Sequence, residues 1–539
     1  MGDYINPGTG NFEISLNSEI YVDKSNLIAK TNAYFWTEKR FICISRPRRF
    51  GKTMAANMLA AYYGLGEDAS GFFGNLAIAK HSSYQKHLNK HDVIMIDMQD
   101  FLSQAKLSQE ESNKATPVKQ MLEILQETIT DELIVAHPEI EYKNKNNFIQ
   151  VMKDTYRATK RPFVILIDEW DCIFRGYPND IDSQKDYLDF LRLWLKGKSY
   201  VGLAYMTGIL PIKKYGTHSA LNMFGEYSMT DPGRFLDYFG FRDFEVEYLA
   251  TEYGADFEEI KKWYNGYFVE MGTPILNPTS VSRSLENNRL SNYWNKTETY
   301  ESLKDYIKLD FDCLQNKITQ LIAGEEINVN SNKFTNDMRT FNSSDDVLTL
   351  LVHLGYLTYD FATEKAKIPN EEVKREFINS IEDLEGWNGI ITAIRNSESL
   401  LQAIWNMDSE SVAIGVQKIH EQNTSIFEYN DENSLSCILN LALYSASNYY
   451  STFRELSTGK GFADLVFIPR KKFVDKPAMV VELKWDETTS GAISQIKERN
   501  YISALEEYQG NLLLVGINYD KKSKSHECTI ERLEYGTRN

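Results

Sequence analysis

The sequence has 539 residues, of which 42% are hydrophobic and 25% are charged, as is ordinary for a globular protein. A chain of this length is too long for a single hydrophobic core, so we expect three or four domains. The net charge of −17 is evidence against a broad surface that coats nucleic acid, although it is compatible with a local basic groove.

The start of the chain and its cysteines bear on cellular location. No apolar stretch approaches the length of a membrane span, and the first residues contain no basic-then-apolar signal region, so we expect no membrane partner. The five cysteines are scattered and never form a CxxC pair, which is typical of thiols in a reducing compartment. The sequence therefore predicts a cytoplasmic protein.

The first strongly patterned segment is an apolar run at 41–44 that leads into Gly51-Lys52-Thr53 and then into a helical pattern. This order predicts a phosphate-binding loop, in which backbone N–H groups and the helix N-terminus point at phosphates. Lys52 would neutralise the phosphates, and the Thr53 hydroxyl would hold Mg²⁺. Arg46 stands where the full pattern has glycine. The candidate nucleotide-binding residues are Arg48, Arg49, Phe50, Gly51, Lys52 and Thr53.

Three further apolar runs predict strands, and helical patterns separate them. The strands are predicted at 93–98, 162–169 and 201–206, and the helices at about 115–136, 146–160 and 183–197. Alternating strands and helices predict an α/β fold built on a parallel sheet.

Polar residues end two of these strands. Ligands bind beyond the carboxyl ends of parallel strands, so we expect Asp168 to reach Mg²⁺ and Glu169 to orient or activate the attacking water. The alternative is a buried strand that ends in a solvated acidic turn. Thr207 ends the next strand and is the candidate for a polar residue beside the γ-phosphate, although Thr-Gly is also ordinary turn chemistry.

Near the C-terminus a hairpin is predicted from two apolar runs at 461–468 and 478–484. If the hairpin is symmetric about Phe473, Asp464 lies opposite Glu482. Side chains alternate along a strand, so Lys484 shares the face of Glu482. Opposed Cβ atoms lie about 5 Å apart, close enough for both carboxylates to bind one Mg²⁺. The alternative is an exposed hairpin that carries a Glu–Lys pair.

Taken together, these motifs resemble the AAA-ATPase-like family, which is abundant in gut and anaerobic bacteria and in which arginine usually replaces the first loop glycine. The resemblance is carried by Tyr21-Val22-Asp23-Lys24, Arg46 to Thr53, Ile167-Asp168-Glu169, Trp263-Tyr264-Asn265-Gly266-Tyr267, Leu276-Asn277-Pro278-Thr279-Ser280, Gly355-Tyr356-Leu357-Thr358 and Ile368-Pro369-Asn370-Glu371. It implies a P-loop ATPase that binds ATP, with a catalytic Glu beside the Asp linked to Mg²⁺.

Members of that family often end in a nuclease-like domain of the PD-(D/E)xK type, and the hairpin with its following helix and strand is similar to that core. The resemblance implies that Asp464 and Glu482 bind metal and that Lys484 polarises water or phosphate. Gln495 matches the family's Gln-x₅-Tyr feature with Tyr501, and Glu432 matches its first acidic position. The list of catalytic candidates is therefore Glu169, Asp464, Glu482, Lys484, Gln495 and Glu432. Phe462 stands where the family usually has a basic residue, which puts substrate binding in doubt.

The leading hypothesis is an ATP-hydrolysing protein with a Mg²⁺-dependent nuclease-like domain that acts on nucleic acid, with DNA favoured over RNA. The alternative is a signalling or scaffold ATPase whose C-terminal domain binds without cleaving. The predicted domains are a P-loop AAA-like domain at 1–240, a helical lid at 241–330, a helical or winged-helix-like connector at 331–418 and the nuclease-like domain at 419–539. Homo-oligomerisation is left open.

Overall fold

The computed structural model describes residues 2–109, 116–212, 221–267, 274–294, 300–309, 311, 313–334, 341–423, 432–457, 462–498, 505, 508 and 510–533. The chain divides into two compact units. The first comprises Met1–Lys296 and Asn328–Val373, and the second comprises Thr297–Ile327 and Lys374–Asn539. Of the described helices, none is long and apolar enough to cross a membrane.

The strands are, in chain order, β1 (Phe41–Ser45), β2 (Val93–Asp97), β3 (Phe163–Asp168), β4 (Val201–Gly208), β5 (Gly225–Tyr227), β6 (Phe241–Arg242), β7 (Ile275–Leu276), β8 (Ile327–Asn328), β9 (Thr358–Asp360), β10 (Lys365–Lys367), β11 (Tyr450–Ser457), β12 (Phe462–Pro469), β13 (Ala478–Trp485), β14 (Leu512–Asp520) and β15 (Ser525–Leu533).

The α-helices are α1 (Gly10–Leu16), α2 (Asn26–Tyr34), α3 (Lys52–Tyr63), α4 (Ser70–Phe73), α5 (Tyr84–His87), α6 (Met98–Gln109), α7 (Pro117–Ala136), α8 (Phe148–Thr159), α9 (Cys172–Gly176), α10 (Ile181–Leu195), α11 (Asp243–Glu252), α12 (Phe257–Tyr264), α13 (Pro278–Glu286), α14 (Tyr300–Ile307), α15 (Leu314–Ile322), α16 (Ser344–Leu354), α17 (Glu371–Ile381), α18 (Asn388–Trp405), α19 (Ser409–Asn423), α20 (Glu432–Ala442) and α21 (Thr489–Glu498).

The first unit is built on a five-stranded sheet in the order β2-β3-β4-β1-β5, and every neighbouring pair is parallel. Strands β1, β3 and β4 are buried at every position, as expected of strands covered on both faces. The register aligns Asp97 with Asp168, and Ile44 with Thr207. The polar residues that end the strands therefore meet at one edge of the sheet. The predicted α/β fold with a parallel sheet is confirmed.

Residues that follow this sheet form a small helical layer with its own core. Helices α11, α12 and α13 and the two-residue strands β6 and β7 contribute to it, and the core includes Trp263, Tyr264 and Tyr293. These aromatic side chains are buried, so they stabilise the layer by packing.

The second unit contains a mixed five-stranded sheet in the order β11-β12-β13-β14-β15, in which only β13 and β14 are parallel. The β12–β13 pairing joins Leu465 with Val481, and each pair is equidistant from Phe473. The predicted antiparallel hairpin and its register are thus confirmed. A Cβ on Gly516 of β14 would lie 2.8 Å from the carbonyl oxygen of Thr489, so glycine permits α21 to approach the sheet closely.

Candidate nucleotide and metal sites

The loop after β1 places Lys52 at the first position of α3. Gly51 precedes it as the N-cap residue, with a left-handed φ of 85° that favours glycine. Lys52 is 5% exposed, and its ammonium donates to the carbonyl oxygens of Arg46 at 3.1 Å and Pro47 at 3.0 Å. Burial lowers the pKa of Lys52, whereas nearby carboxylates act against that shift. The loop thus folds around a buried cation.

Arg46, which replaces the first loop glycine, stabilises the edge of the sheet by hydrogen bonds. Its guanidinium is fully buried and donates to the carbonyl oxygens of Tyr227 at 2.9 Å and Ser228 at 3.0 Å. It also lies 5.6 Å from the ring centroid of Phe239. Burial lowers the pKa of Arg46 to about 9. The side chain therefore ties the loop to the end of β5.

Two other loop residues contact the helical layer of the same unit. Arg49 donates from its guanidinium to the carbonyl oxygen of Tyr293, and its own carbonyl accepts from the Thr279 hydroxyl at 3.4 Å. Phe50 is buried with its ring edge-on to Tyr267 at 5.1 Å. Arg48 is partly exposed. These contacts place the candidate loop residues between the sheet and the helical layer.

Asp168 is the centre of the polar cluster at the sheet edge. It is 1% exposed, and its carboxylate accepts from the Thr53 hydroxyl at 2.6 Å, from the Thr207 hydroxyl and from the backbone N–H of Glu169 at 3.0 Å. The structure therefore brings together Thr53, Asp168 and Thr207, which the sequence places on three separate segments. A carboxylate beside a hydroxyl is an oxygen donor set that suits Mg²⁺.

Glu169 follows Asp168 in a left-handed conformation, with a φ of 50°. Its carboxylate forms an ion pair with Arg175. The same guanidinium lies 3.3 Å from Asp171, which is fully buried. Sequence reasoning missed Arg175 and Asp171, although a spacing of four residues in a helical segment is a usable signal for an ion pair.

Asp97 is a third residue that the sequence analysis missed. It ends β2 and is paired in register with Asp168. Desolvation and the neighbouring charge of Asp168 raise the pKa of Asp97 to about 6, although its side chain still reaches solvent. An acidic residue at the end of a strand beside Asp168 was a signal available in the sequence.

Gly208, directly after Thr207, keeps this edge of the sheet closely packed. A Cβ at this position would lie 2.6 Å from Cδ1 of Trp170 and 2.8 Å from Oδ1 of Asp171, and both residues are fully buried. We expect Gly208→Ala to lower the free energy of unfolding by about 1–3 kcal/mol, because overpacking forces these side chains to shift.

Thermal unfolding of the variant and the wild type would check this prediction. Gly10→Ala is the matched control, since Gly10 lies at the start of α1 with nothing within 4 Å of an added Cβ. Equal melting temperatures for Gly208→Ala and the wild type would contradict the packing argument.

In the second unit, the structure brings together Glu482, Lys484 and Gln495. Glu482 and Lys484 lie on β13, and Gln495 lies on α21. The Lys484 ammonium donates to the Gln495 amide oxygen at 2.6 Å and lies 3.9 Å from Glu482, whose carboxylate accepts from the Gln495 amide nitrogen. The Glu482 side chain is 3% exposed. The three side chains therefore form one connected, largely buried cluster.

The described β12–β13 pairing ends with Leu465 and Val481, one residue before Asp464. If this pairing continued by one residue, Asp464 would lie opposite Glu482. The side chains of Asp464 and Glu432 lie outside the described residues, as does Tyr501. Among the described side chains, no group of three or more His, Cys, Asp or Glu residues is arranged to hold a metal ion.

Two hydrogen bonds from the side chain of Asn518, which the sequence analysis missed, fix the turn after β13. The Asn518 side chain accepts from the backbone N–H of Glu487 at 3.1 Å and donates to its carbonyl oxygen at 3.0 Å. The Glu487 carboxylate lies 3.7 Å from the Lys484 ammonium. Asn518 is paired in register with Lys484, so its hydrogen bonds to Glu487 hold the Glu487 carboxylate beside the cluster of Glu482, Lys484 and Gln495.

Two family models match the chain. Residues 7–217 match a model described as predicted AAA-ATPase, and residues 430–528 match the PD-(D/E)XK nuclease superfamily. The chain is 21% identical over 534 residues to an uncharacterized protein in the vnfD 5′ region of Azotobacter chroococcum, and the match covers 94% of each chain.

Among solved structures, the chain is similar to the Aeropyrum pernix ORC2 protein in its ADPNP–ADP complexes. That match has a TM-score of 0.27 and 10% identity, and it covers 68% of this chain and 96% of that one. The two family matches agree with the two sites described above. Residues 7–217 are thus an AAA-ATPase-like domain, and residues 430–528 are a domain of the PD-(D/E)XK nuclease superfamily.

Proposed function

We propose that the chain binds and hydrolyses ATP and that its C-terminal domain cleaves nucleic acid in a Mg²⁺-dependent reaction. The observation that carries the first part is the convergence of Thr53, Thr207 and the N–H of Glu169 on buried Asp168. The family match of residues 7–217 supports ATP as the nucleotide.

In the proposed ATPase site, Thr53 and Asp168 hold Mg²⁺, which supplies positive charge to the phosphates. Lys52 exchanges its two carbonyl partners for the β- and γ-phosphate oxygens. Glu169 accepts a proton from the attacking water, and Thr207 lies beside the γ-phosphate. Arg48, Arg49, Phe50 and Gly51 shape the loop around the phosphates.

In the proposed nuclease site, Asp464 and Glu482 would hold a divalent metal ion, which would supply activation of water when bound. Lys484 stabilises the negative charge that develops on the phosphate, and Gln495 fixes Lys484 relative to Glu482. Glu432 is proposed as a further acid of this site. The observed pairing of Leu465 with Val481, which would set Asp464 opposite Glu482 if it continued by one residue, supports this arrangement.

The remaining parts of the proposal concern the domain boundaries, the substrate and the cellular location. We propose the domain boundaries given by the sequence, DNA as the first substrate to test, and a bacterial cytoplasmic location. None of the five cysteines forms a disulfide and three of them are buried, which supports a reducing compartment. Self-association is to be measured by light scattering with and without nucleotide.

The experiment that tests the function uses the purified full chain. Phosphate release from ATP is measured with Mg²⁺ and with EDTA, and we expect release only with Mg²⁺. Plasmid DNA, single-stranded DNA and RNA are incubated with Mg²⁺ in the presence of ATP, ADP or a non-hydrolysable analogue. Lys484→Ala is the active-site variant, and Lys472→Ala, on the exposed turn after β12, is the matched control.

The outcomes separate the two parts of the proposal. Absence of Mg²⁺-dependent phosphate release would remove the ATPase assignment. Cleavage that persists in Lys484→Ala, or that the wild type lacks under every condition, would remove the nuclease assignment. If the wild type cleaves none of these nucleic acids under any condition, the alternative for the C-terminal domain is binding without cutting.

A further inference from the structure

Asp171 is a fixed anchor at the edge of the first-unit sheet. It is fully buried, and its Oδ2 accepts from the backbone N–H of Ile209 at 3.0 Å and of Leu210 at 2.8 Å. Both N–H groups directly follow β4, the strand that carries Thr207. A buried carboxylate held by two backbone donors has little freedom to move.

Arg175 extends from this anchor to Glu169. It lies on the short helix α9, one turn after Asp171, which is the N-cap residue of that helix. Its Nε lies 3.3 Å from Asp171, and its Nη2 contacts the Glu169 carboxylate. A planar guanidinium can bind two carboxylates at once, which an ammonium on a flexible stem cannot do in the same fixed geometry.

Glu169 has the backbone of a tight turn and a crowded charged environment. Its side chain is 23% exposed, so water reaches it. The charged groups around it are Asp97 on β2, Asp168 on β3, Lys52 on α3, and Asp171 and Arg175 at α9. Lys52 donates to loop carbonyls, so the cation that contacts the Glu169 carboxylate is Arg175.

We propose that Arg175 is a positioning residue for ATP hydrolysis: by bridging Glu169 to the buried Asp171, it holds the Glu169 carboxylate where the attacking water is to be bound. This inference rests on the proposed role of Glu169 as the water-activating residue. Misplacing a catalytic carboxylate by about 1 Å is enough to cost a large factor in rate. Arg175 itself does not need to touch nucleotide.

The test compares steady-state kcat and KM for Mg-ATP in the full chain. We expect Arg175→Ala to lower kcat by about 10–100-fold and to change KM less than about twofold, since the phosphate contacts remain. Arg175→Lys should recover part of kcat because it keeps the charge. Arg157→Ala, which removes an exposed arginine that is paired with the buried Asp154 on α8, is the matched control.

A double variant asks whether Arg175 acts through Glu169. In the Glu169→Gln background, Arg175→Ala should not change the residual single-turnover rate any further, because the two residues form one unit. If Arg175→Ala fails to fold, Asp171→Asn provides the second test. It keeps an oxygen acceptor for Ile209 and Leu210 but removes the anchoring charge, and it should lower kcat without changing KM.

The possible results distinguish this proposal from the one on which it rests. If Glu169→Gln hydrolyses ATP at the wild-type rate, the proposed role of Glu169 is wrong. If Glu169→Gln is inactive but Arg175→Ala keeps the wild-type kcat or exceeds it, Glu169 keeps its role and the positioning role of Arg175 is wrong. Additive losses in the double variant would also overturn the positioning role.

Discussion

Replacing Lys52 with alanine is expected to raise the Kd for ATP by at least about 100-fold, because two or more charge-assisted hydrogen bonds to phosphate are lost. Each such bond is worth about 1.5–3 kcal/mol, and a tenfold change in Kd corresponds to about 1.4 kcal/mol. The ammonium is already buried within the loop and held by carbonyl oxygens, so it needs only a short movement to reach a phosphate. Isothermal titration calorimetry with ATP and Mg²⁺ measures the change.

The matched control for this prediction is Lys30→Ala. Lys30 lies on α2 in the same unit, and its side chain is exposed. Its removal alters the net charge of the chain by the same amount but should leave the Kd unchanged. Equal ATP affinity for Lys52→Ala and the wild type would show that the loop does not bind phosphate through this side chain.

The strands that position the nucleotide site could be predicted because each contains a continuous apolar run that precedes a polar end. These apolar runs predict that β1, β3 and β4 are parallel strands covered on both faces. The polar residues come at the carboxyl end of each run, so the sequence also shows which edge of the sheet carries them. β5 could not be found in this way. It is only three residues long, and Gly225-Glu226-Tyr227 contains no alternation that separates a strand from a loop.

The C-terminal hairpin was predictable in its register because two apolar runs flank one polar turn. The edge strands β11 and β15 were not predicted. In β15 exposed polar residues such as Glu527 alternate weakly with buried ones, which is usual for a strand with one free edge. The pairing of α21 with β13 through Gln495 was implied by family resemblance, and the direct contacts to Glu482 and Lys484 come from the structure.

Contacts between distant segments explain why the rest of the candidate site was not predictable. The sequence shows only that Arg46 replaces a loop glycine, because its partners, Tyr227 and Ser228, are about 180 residues further along the chain. Glu372 gave no signal at all, since it lies in a polar run yet is fully buried. Only the folded structure shows which charged residues are buried.

Glu372 is the basis of the second large prediction, which concerns stability. Its Oε1 accepts from the Ser280 hydroxyl at 3.0 Å and from the backbone N–H groups of Tyr293 at 2.7 Å and Trp294 at 3.0 Å. Burial raises the pKa of Glu372 from 4.5 to about 7, although these hydrogen bonds and Arg49 act against the shift. Between those two values the folded protein keeps the proton and the unfolded chain loses it.

The sign of the pH dependence follows directly. Unfolding releases a proton from Glu372 between pH 4.5 and about 7, so its contribution to the free energy of unfolding falls as the pH rises through this window. A shift of this size corresponds to roughly 3 kcal/mol. Above the folded pKa the loss is complete. We therefore expect Glu372→Gln, which stays neutral and keeps an oxygen acceptor, to be more stable than the wild type at pH 8 and nearly equal to it at pH 5.

Denaturant unfolding of the full chain, followed by tryptophan fluorescence at several pH values, measures this difference. Comparing the two proteins at each pH cancels the contributions of other titrating groups, including the buried histidines. Glu123→Gln is the matched control, because Glu123 is exposed on α7 and its removal changes the charge equally. If Glu372→Gln is less stable than the wild type at pH 8 by as much as at pH 5, the carboxyl group is ionised in the folded protein. The hydrogen bonds from Ser280, Tyr293 and Trp294, together with the charge of Arg49, would then offset the effect of burial on the Glu372 carboxyl group.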